Sequence, residues 1–198
     1  MGRYFTVLAF EAVAELVPSS LLLRDWLQKV SDALSKANLP IAWRAPVTGL
    51  VVVQKNYKYK TKTVQAMYLG KRFSPSLRIN SETELSPPQQ RNAITANFIH
   101  SLDAAHLVIT MSKLLDEGVS RFGCVHDSYV ALASDMDLLS GLTKSAFVEL
   151  HKGNMMESFF ETSCAGLPED VRVRLRGSMP KQRGLILEHV ADSPYLFS

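Results

Sequence analysis

The longest helical pattern in the chain reads TANFIHSLDAAHLVITMSKLLDEG and covers residues 95–118. Its apolar residues recur every three or four positions, which is the spacing that builds one apolar face of a helix. This face includes Phe98, Leu102, Ala105 and Ile109. The pattern predicts a helix over residues 95–116, with Gly118 just beyond it as the residue that ends the helix.

A pair of short strands with a polar tip follows in FGCVHDSYVALA, residues 122–133. Two apolar runs flank His126, Asp127 and Ser128, and this arrangement predicts a hairpin. A carboxylate at a hairpin tip is held rigidly and points outward, where a Mg²⁺ ion can bridge it to phosphate oxygens. Asp127 and Ser128 are also residue types that ordinary turns favour, so a plain turn is the alternative.

Three polar residues on the long helix are spaced three apart, so that neighbours share a face: His100, Asp103 and His106. One interpretation is a metal site, although the most specific zinc spacing is i, i+4 with a third ligand elsewhere. The other is a helix start, in which Asp103 favours the positive end of the dipole and the histidines form local hydrogen bonds.

A basic segment precedes this helix. Residues 45–81 contain no acidic side chain, whereas seven basic ones occur there: Lys55, Lys58, Lys60, Lys62, Lys71, Arg72 and Arg78. Residues 57–64 alternate in a way that predicts a strand with one basic face. Lysines interleaved with Tyr57 and Tyr59 can hold a nucleic-acid backbone. A solvated edge strand, on which lysines prevent aggregation, explains the same pattern equally well.

The other segments predict an α+β fold that is mostly helical and contains a small antiparallel sheet. Helical spacing covers residues 22–34 and 135–151, and short strands are predicted at 39–43 and 50–53. Residues 74–92 are rich in Ser, Pro, Asn and Gln and are predicted to be a loop. Residues 152–198 have a less regular pattern.

Composition excludes several classes of protein. The chain has 198 residues, of which 46% are hydrophobic and 21% are charged, as in ordinary globular proteins. Ten glycines and nine prolines are too few for collagen or a disordered tail. Two cysteines are too few for a disulfide scaffold or a Cys-based zinc site. The sequence contains no Walker, Rossmann or nucleophile-elbow motif. No apolar run approaches the length of a membrane span, so a membrane partner is not expected.

The order of these segments resembles the C-terminal part of the single-subunit DNA-directed RNA polymerases, the phage and mitochondrial family. The resemblance is strongest in NFIHSLDAAHL at residues 97–107 and VHDS at residues 125–128. It extends to DSPYLFS at residues 192–198 and loosely to MYLG at residues 67–70. It implies a palm-type sheet with a catalytic hairpin, within a C-terminal palm and fingers portion over residues 1–198. Fingers-side helices and basic strands would occupy residues 1–94, and the palm would occupy residues 95–198.

The resemblance also implies roles for single residues. Asp127 would be the second of two metal-binding aspartates and would hold Mg²⁺. His126 would support the growing RNA end beside it. His100 would touch the minor-groove side of the newest base pair. Phe197 and the carboxylate of Ser198 would form a C-terminal foot near the active site.

Two parts that the family needs are not found in this sequence: the first palm aspartate, and the fingers Lys and Tyr that grip and select the nucleoside triphosphate. We therefore expect no polymerase activity from the chain alone. The expected partners are a DNA template, an RNA product, nucleoside triphosphates and an upstream polymerase fragment, in a split enzyme or a truncated gene product. The expected location is the cytoplasm of a bacterial host of a phage, with a mitochondrial origin as the alternative.

Two other functions are consistent with the residues. The first is a non-catalytic remnant that binds nucleic acid through the basic strand. The second is an unrelated metal-dependent hydrolase that uses His100, Asp103, His106 and Asp127.

Overall fold

A computed structural model of the chain describes residues 6, 8, 12, 14–125, 128–181 and 187–193. The helices are α1 (Pro18–Lys36), α2 (Pro87–Asp116), α3 (Met136–His151), α4 (Met155–Ser163), α5 (Glu169–Gly177) and α6 (Glu188–Asp192). The strands are β1 (Ile41–Arg44), β2 (Val51–Gln54), β3 (Tyr57–Thr63), β4 (Ala66–Tyr68), β5 (Lys71–Phe73), β6 (Ser76–Leu85), β7 (Phe122–Val125) and β8 (Ser128–Ala131). The α+β class with small antiparallel sheets is confirmed.

The strands of the described chain pair two by two. Each pair is antiparallel: β1 with β2, β3 with β6, β4 with β5, and β7 with β8. The strands β4 and β5 lie between β3 and β6 in the sequence, so the two antiparallel pairs follow one another in a two-stranded ribbon, here called the arm (residues 55–85). Whether β7 and β8 belong to a palm-type sheet stays a prediction.

The main core is centred on the ring of Phe159 in α4. Three aromatic rings meet it edge to face, with centroid distances of 6.0 Å to Trp26, 5.4 Å to Trp43 and 5.2 Å to Phe98. Both indole N–H groups have buried partners, since Trp26 donates to the carbonyl of Leu175 and Trp43 donates to the hydroxyl of Ser101. These contacts join α1, β1, α2, α4 and α5 into one packed unit.

A second, smaller core lies between α2 and α3. Its buried residues are mostly small: Ala45, Ala105, Ile109, Ala146 and Leu150. Because alanines face each other on the two helices, the helix axes can approach closely. The N-terminal half of α2 therefore contacts the main core, and the C-terminal half of α2 contacts α3.

The predicted loop over residues 74–92 is wrong. Residues 76–85 form β6, which pairs with β3, and α2 begins at Pro87. The prolines at the first two helical positions break no helical hydrogen bond, because these positions have no intrahelical acceptor for an N–H. The burial of residues along β6 does not alternate as it does in a half-buried strand, because most of its residues are exposed on both faces of the arm.

The irregular region predicted after residue 152 is also corrected, since it contains α4 and α5. Each helix has only nine residues, which is too short to show a clear apolar period. Helix α4 has a defined start, where the side chain of Asn154 accepts a hydrogen bond from the backbone N–H of Glu157 at 3.1 Å.

Among the described residues, no helix combines the length and the apolar composition needed to cross a membrane. The predicted division of the chain at residue 94 stays a prediction, and that position falls within α2.

Candidate active site

The hairpin β7–β8 carries the predicted catalytic residues. Its register pairs Phe122 with Ala131 and, at the other end, Val125 with Ser128. The two residues between Val125 and Ser128 in the sequence are His126 and Asp127, and both lie outside the described residues. Their catalytic and metal-binding roles stay predictions.

The role of Phe197 and Ser198 as a C-terminal foot also stays a prediction, because both residues lie outside the described part of the chain.

One face of the hairpin packs against the helices and the other is open. Phe122, Tyr129 and Ala131 are half-buried on the inner face. Val125 and Val130 lie on the opposite face and are 67% and 63% exposed. The register places these two valines diagonally across the hairpin, where they form a small exposed apolar strip.

His106 lies beneath the inner face of this hairpin. It belongs to α2 and is only 8% exposed. Its Nε2 is 2.9 Å from the carbonyl oxygen of Thr143 in α3, and its Nδ1 is 3.5 Å from the hydroxyl of Tyr129 in β8. The imidazole ring meets the Tyr129 and Phe147 rings edge to face. His106 therefore connects the hairpin to both helices behind it.

A second histidine extends this aromatic group along α3. The ring of His151 stacks on that of Phe147, with centroids 3.9 Å apart, and its Nδ1 lies 2.8 Å from the Phe147 carbonyl oxygen. Burial lowers the pKa of His151 below its usual 6.5, the hydrogen bond to the Phe147 carbonyl opposes this, and proximity to His106 lowers it further.

The predicted metal site of His100, Asp103 and His106 is wrong, and the alternative of a helix start at Asp103 is also wrong because α2 begins at Pro87. His100 and Asp103 are exposed on α2, whereas His106 faces inward. Six residues along a helix correspond to a rise of roughly 9 Å and a rotation of about 240°, so the two histidines cannot converge on one ion. Within the described ranges, no group of three or more His, Cys, Asp or Glu side chains could hold a metal.

The arm presents the predicted basic residues to solvent. Lys55, Lys60 and Lys62 are exposed, and Lys58 pairs with Glu84 at 3.1 Å. On one face of the arm, Lys60 lies opposite Ile79 and Lys62 lies opposite Leu77. Both apolar partners are 52% exposed. This face therefore combines positive charge with apolar side chains.

The opposite face of the arm carries an aromatic and cationic pair. The guanidinium of Arg78 lies 4.7 Å above the centre of the Tyr59 ring. The interaction orients Arg78 while leaving its N–H groups available for an anion. A ribbon with cations on both faces is well suited to contact a polyanion.

A buried polar cluster at the base of the arm was not predicted. The side-chain oxygen of Gln90 accepts hydrogen bonds from the Gln54 amide at 2.9 Å, and from the backbone N–H and side-chain amide of Asn56 at 3.1 Å each. The Gln90 amide donates to the Gln54 carbonyl at 3.1 Å, and the Asn97 amide donates to the Gln54 side-chain oxygen at 2.8 Å. These bonds hold the start of the arm against α2.

A signal for this cluster is present in the sequence. Gln90 lies four residues before Ile94 and eight before Phe98, so it falls on the buried stripe of the helix. A polar residue in such a position requires hydrogen-bond partners.

Comparison with known proteins identifies the family. The family model of DNA-dependent RNA polymerase matches residues 1–185. The mitochondrial DNA-directed RNA polymerase 1 of Nicotiana sylvestris is 30% identical over 188 residues, which are 94% of this chain and 18% of that protein. The DNA-directed RNA polymerase of Pseudomonas phage phiKMV is 28% identical over 193 residues, which are 98% of this chain and 22% of that protein.

A fungal relative gives the same result. The mitochondrial DNA-directed RNA polymerase of Schizosaccharomyces pombe is 27% identical over 236 aligned positions, covering 100% of this chain and 20% of that protein. The chain thus spans about a fifth of the length of these three relatives. Since the family model matches well over half of the chain, including the arm, α2 and the hairpin, the chain belongs to the DNA-dependent RNA polymerases, in the single-subunit type of phages and mitochondria.

Proposed function

We propose that this chain forms the C-terminal palm and fingers portion of a DNA-directed RNA polymerase and contributes the second metal-binding aspartate to its active site. The observation that carries the proposal is the family match over residues 1–185, which contains His126 and Asp127 between β7 and β8 in the sequence. The exposed apolar strip of Val125 and Val130 supports it, because this side of the hairpin has room for a further polymerase segment.

The roles of the residues follow from this assignment. Asp127 holds a Mg²⁺ ion, a hard cation that prefers carboxylate oxygens. When bound there, Mg²⁺ would supply the charge that activates the 3′-hydroxyl of the RNA and stabilises the leaving pyrophosphate. His126 supports the RNA end, and exposed His100 contacts the newest base pair from the minor-groove side. Phe197 and Ser198 complete the site from the C-terminal end.

The chain works together with an upstream portion of the polymerase. In this proposal, that portion supplies the first palm aspartate and the fingers Lys and Tyr. Loss of one metal ligand or of the triphosphate clamp lowers the rate by orders of magnitude. The chain alone is therefore inactive. The location proposed for the complete enzyme is a phage-infected bacterium, with a mitochondrion as the alternative, and relatives from a phage and from mitochondria support this proposal.

The test is RNA synthesis by the chain co-expressed with an upstream polymerase portion on a DNA template. We expect Mg²⁺-dependent synthesis that is lost in Asp127→Ala. The matched control is Asp137→Ala, since Asp137 is an exposed aspartate in the first turn of α3. Synthesis that continues unchanged in Asp127→Ala would refute the assignment of this residue.

A non-catalytic nucleic-acid-binding function is the second candidate, favoured by the cations on both faces of the arm. Each phosphate that a lysine neutralises contributes about 0.7 to 0.9 to the slope of log affinity against log salt concentration. Replacing Lys55, Lys60 and Lys62 with alanine should therefore reduce this slope by about 2 to 3 units in a filter-binding assay.

The control for this experiment carries the same change in charge. Lys29, Lys36 and Lys152 are exposed lysines outside the arm, and their replacement with alanine should leave the slope within about one phosphate contact of wild type. Tight, salt-dependent binding by the chain alone, together with failure of every upstream portion to restore synthesis, would favour this second function over the first.

A further inference from the structure

We propose that His106 is a positioning residue that holds the β7–β8 hairpin in place through the hydroxyl group of Tyr129. The inference rests on the proposed function, because the hairpin matters for catalysis only if Asp127 binds the metal. Its basis is the chain of contacts from Thr143 in α3, through the His106 ring in α2, to Tyr129 in β8.

The hydrogen bonds determine which nitrogen of the His106 ring carries the proton. A carbonyl oxygen can only accept, so the short contact with Thr143 requires the proton to be on Nε2. In the neutral ring, Nδ1 then carries a lone pair, and this lone pair faces the Tyr129 hydroxyl. Tyr129 donates to it at 3.5 Å, the outer limit of a hydrogen bond, and the edge-to-face contact of the two rings adds to the attachment.

The other side of this contact lies between α2 and α3. The hydroxyl of Thr110 donates to the backbone carbonyl of His106 at 2.9 Å, and the hydroxyl of Thr143 donates to the carbonyl of Leu139 at 2.8 Å. Both threonines are buried between α2 and α3. The ring of His106 thus lies in the buried contact between the two helices, where its Nε2 bonds the Thr143 carbonyl.

Within the described residues, Tyr129 is the main inward contact of strand β8. No residue of β7 or β8 is fully buried in the described structure, and Tyr129 is the largest side chain that β8 directs inward. Tyr129 is two residues from Asp127 in the sequence. A shift of about 1 Å in a catalytic group can cost roughly 100-fold in rate, so this attachment bears directly on the reaction.

Two substitutions of His106 separate its two hydrogen bonds. In His106→Gln, the longer amide reaches the position of Nε2 and can still donate to Thr143, but the acceptor for Tyr129 is lost. In His106→Asn, the side-chain oxygen occupies the position of Nδ1 and still accepts from Tyr129, but the donor to Thr143 is lost. Tyr129→Phe removes the hydroxyl alone.

Amide hydrogen exchange of β7 and β8 in the full chain tests the attachment without requiring activity. We expect exchange about tenfold faster in His106→Gln and in Tyr129→Phe, as for loss of one hydrogen bond, and slower exchange in His106→Asn than in His106→Gln, because Asn keeps the acceptor for Tyr129. The double variant His106→Gln with Tyr129→Phe should exchange no faster than His106→Gln alone, because Tyr129→Phe removes a hydrogen bond that His106→Gln has already lost. Exchange in His106→Asn as fast as in His106→Gln would overturn the inference.

Kinetics of the chain combined with its upstream portion test the catalytic consequence. We expect kcat to fall about tenfold in His106→Gln and Tyr129→Phe, with KM for nucleoside triphosphates unchanged, because the triphosphate clamp lies in the other portion. The control His189→Gln changes an exposed histidine and should match wild type. A rise in KM at constant kcat would overturn the inference. If even the wild-type combination makes no RNA, the proposed function fails and the exchange result alone decides whether His106 positions the hairpin.

Discussion

Replacement of Gln90 with alanine tests how the arm is held on the body of the protein. Gln90 is fully buried, and its side chain takes part in four hydrogen bonds to Gln54 and Asn56 at the start of the arm. Alanine at this position removes all four bonds while keeping the backbone carbonyl that also accepts from the Gln54 amide at 2.8 Å.

The size of the loss in stability depends on which polar groups of Gln54 and Asn56 remain without a hydrogen-bond partner. A typical hydrogen bond contributes about 1 kcal/mol net, which sets an upper figure near 4 kcal/mol for the four. Asn56 is only half-buried, so water can replace part of what it loses, whereas Gln54 is buried and cannot reach water as easily. We therefore expect the free energy of unfolding to fall by about 2 to 4 kcal/mol in Gln90→Ala.

The assay is urea unfolding of the full chain, followed by tryptophan fluorescence. Gln89→Ala is the matched control, because Gln89 is exposed and contributes only its backbone carbonyl to Asn56. An exposed substitution of this kind should change the free energy of unfolding by less than about 0.5 kcal/mol. A loss in Gln90→Ala that is no larger than in Gln89→Ala would refute the view that this cluster holds the arm.

Three further predictions concern the core and the titrating groups. Phe159→Ala should lower the free energy of unfolding by about 3 to 5 kcal/mol in the same assay, since three aromatic rings lose their common neighbour. Burial raises the pKa of the Cys164 thiol to about 11, so iodoacetamide at pH 8 should label exposed Cys124 and should reach Cys164 only after unfolding; equal labelling of both in the native chain would contradict the structure. Because the pKa of His151 is lowered in the folded chain, the unfolded chain binds the proton more strongly, and stability should be complete above pH 6.5 and decline as the pH falls below it. His151→Gln should reduce this decline in thermal unfolding measured at pH 5 and pH 7.5.

Local pattern predicted the elements that bury one face. The long helix, the helix over residues 22–34 and the short strands around residues 41–54 were all recognisable, because their apolar residues repeat with the period of the element. The hairpin strands were predicted as well. The family resemblance came from two short segments in a fixed order, and the family match confirmed it.

The local pattern of apolar residues did not predict elements that are short or that do not bury one face. Strand β6 is exposed on both sides, so its sequence resembles a loop, and its structure depends on the partner strand β3 that precedes it along the chain. The first two turns of α2 were missed for a related reason, since Pro87 and Pro88 resemble loop residues but are compatible with a helix start.

The sequence by itself determined the class of the fold, the long central helix and the membership of the polymerase family, because these depend on residues that are close together in the chain. Only the tertiary structure decided which polar side chains face inward: Gln90 meets Gln54 and Asn56 across the base of the arm, and His106 meets Thr143 and Tyr129 beneath the hairpin. These partners lie between 23 and 37 residues apart in the chain. Hydrogen bonds over such separations exist only after helices and strands have packed, and no local periodicity records them.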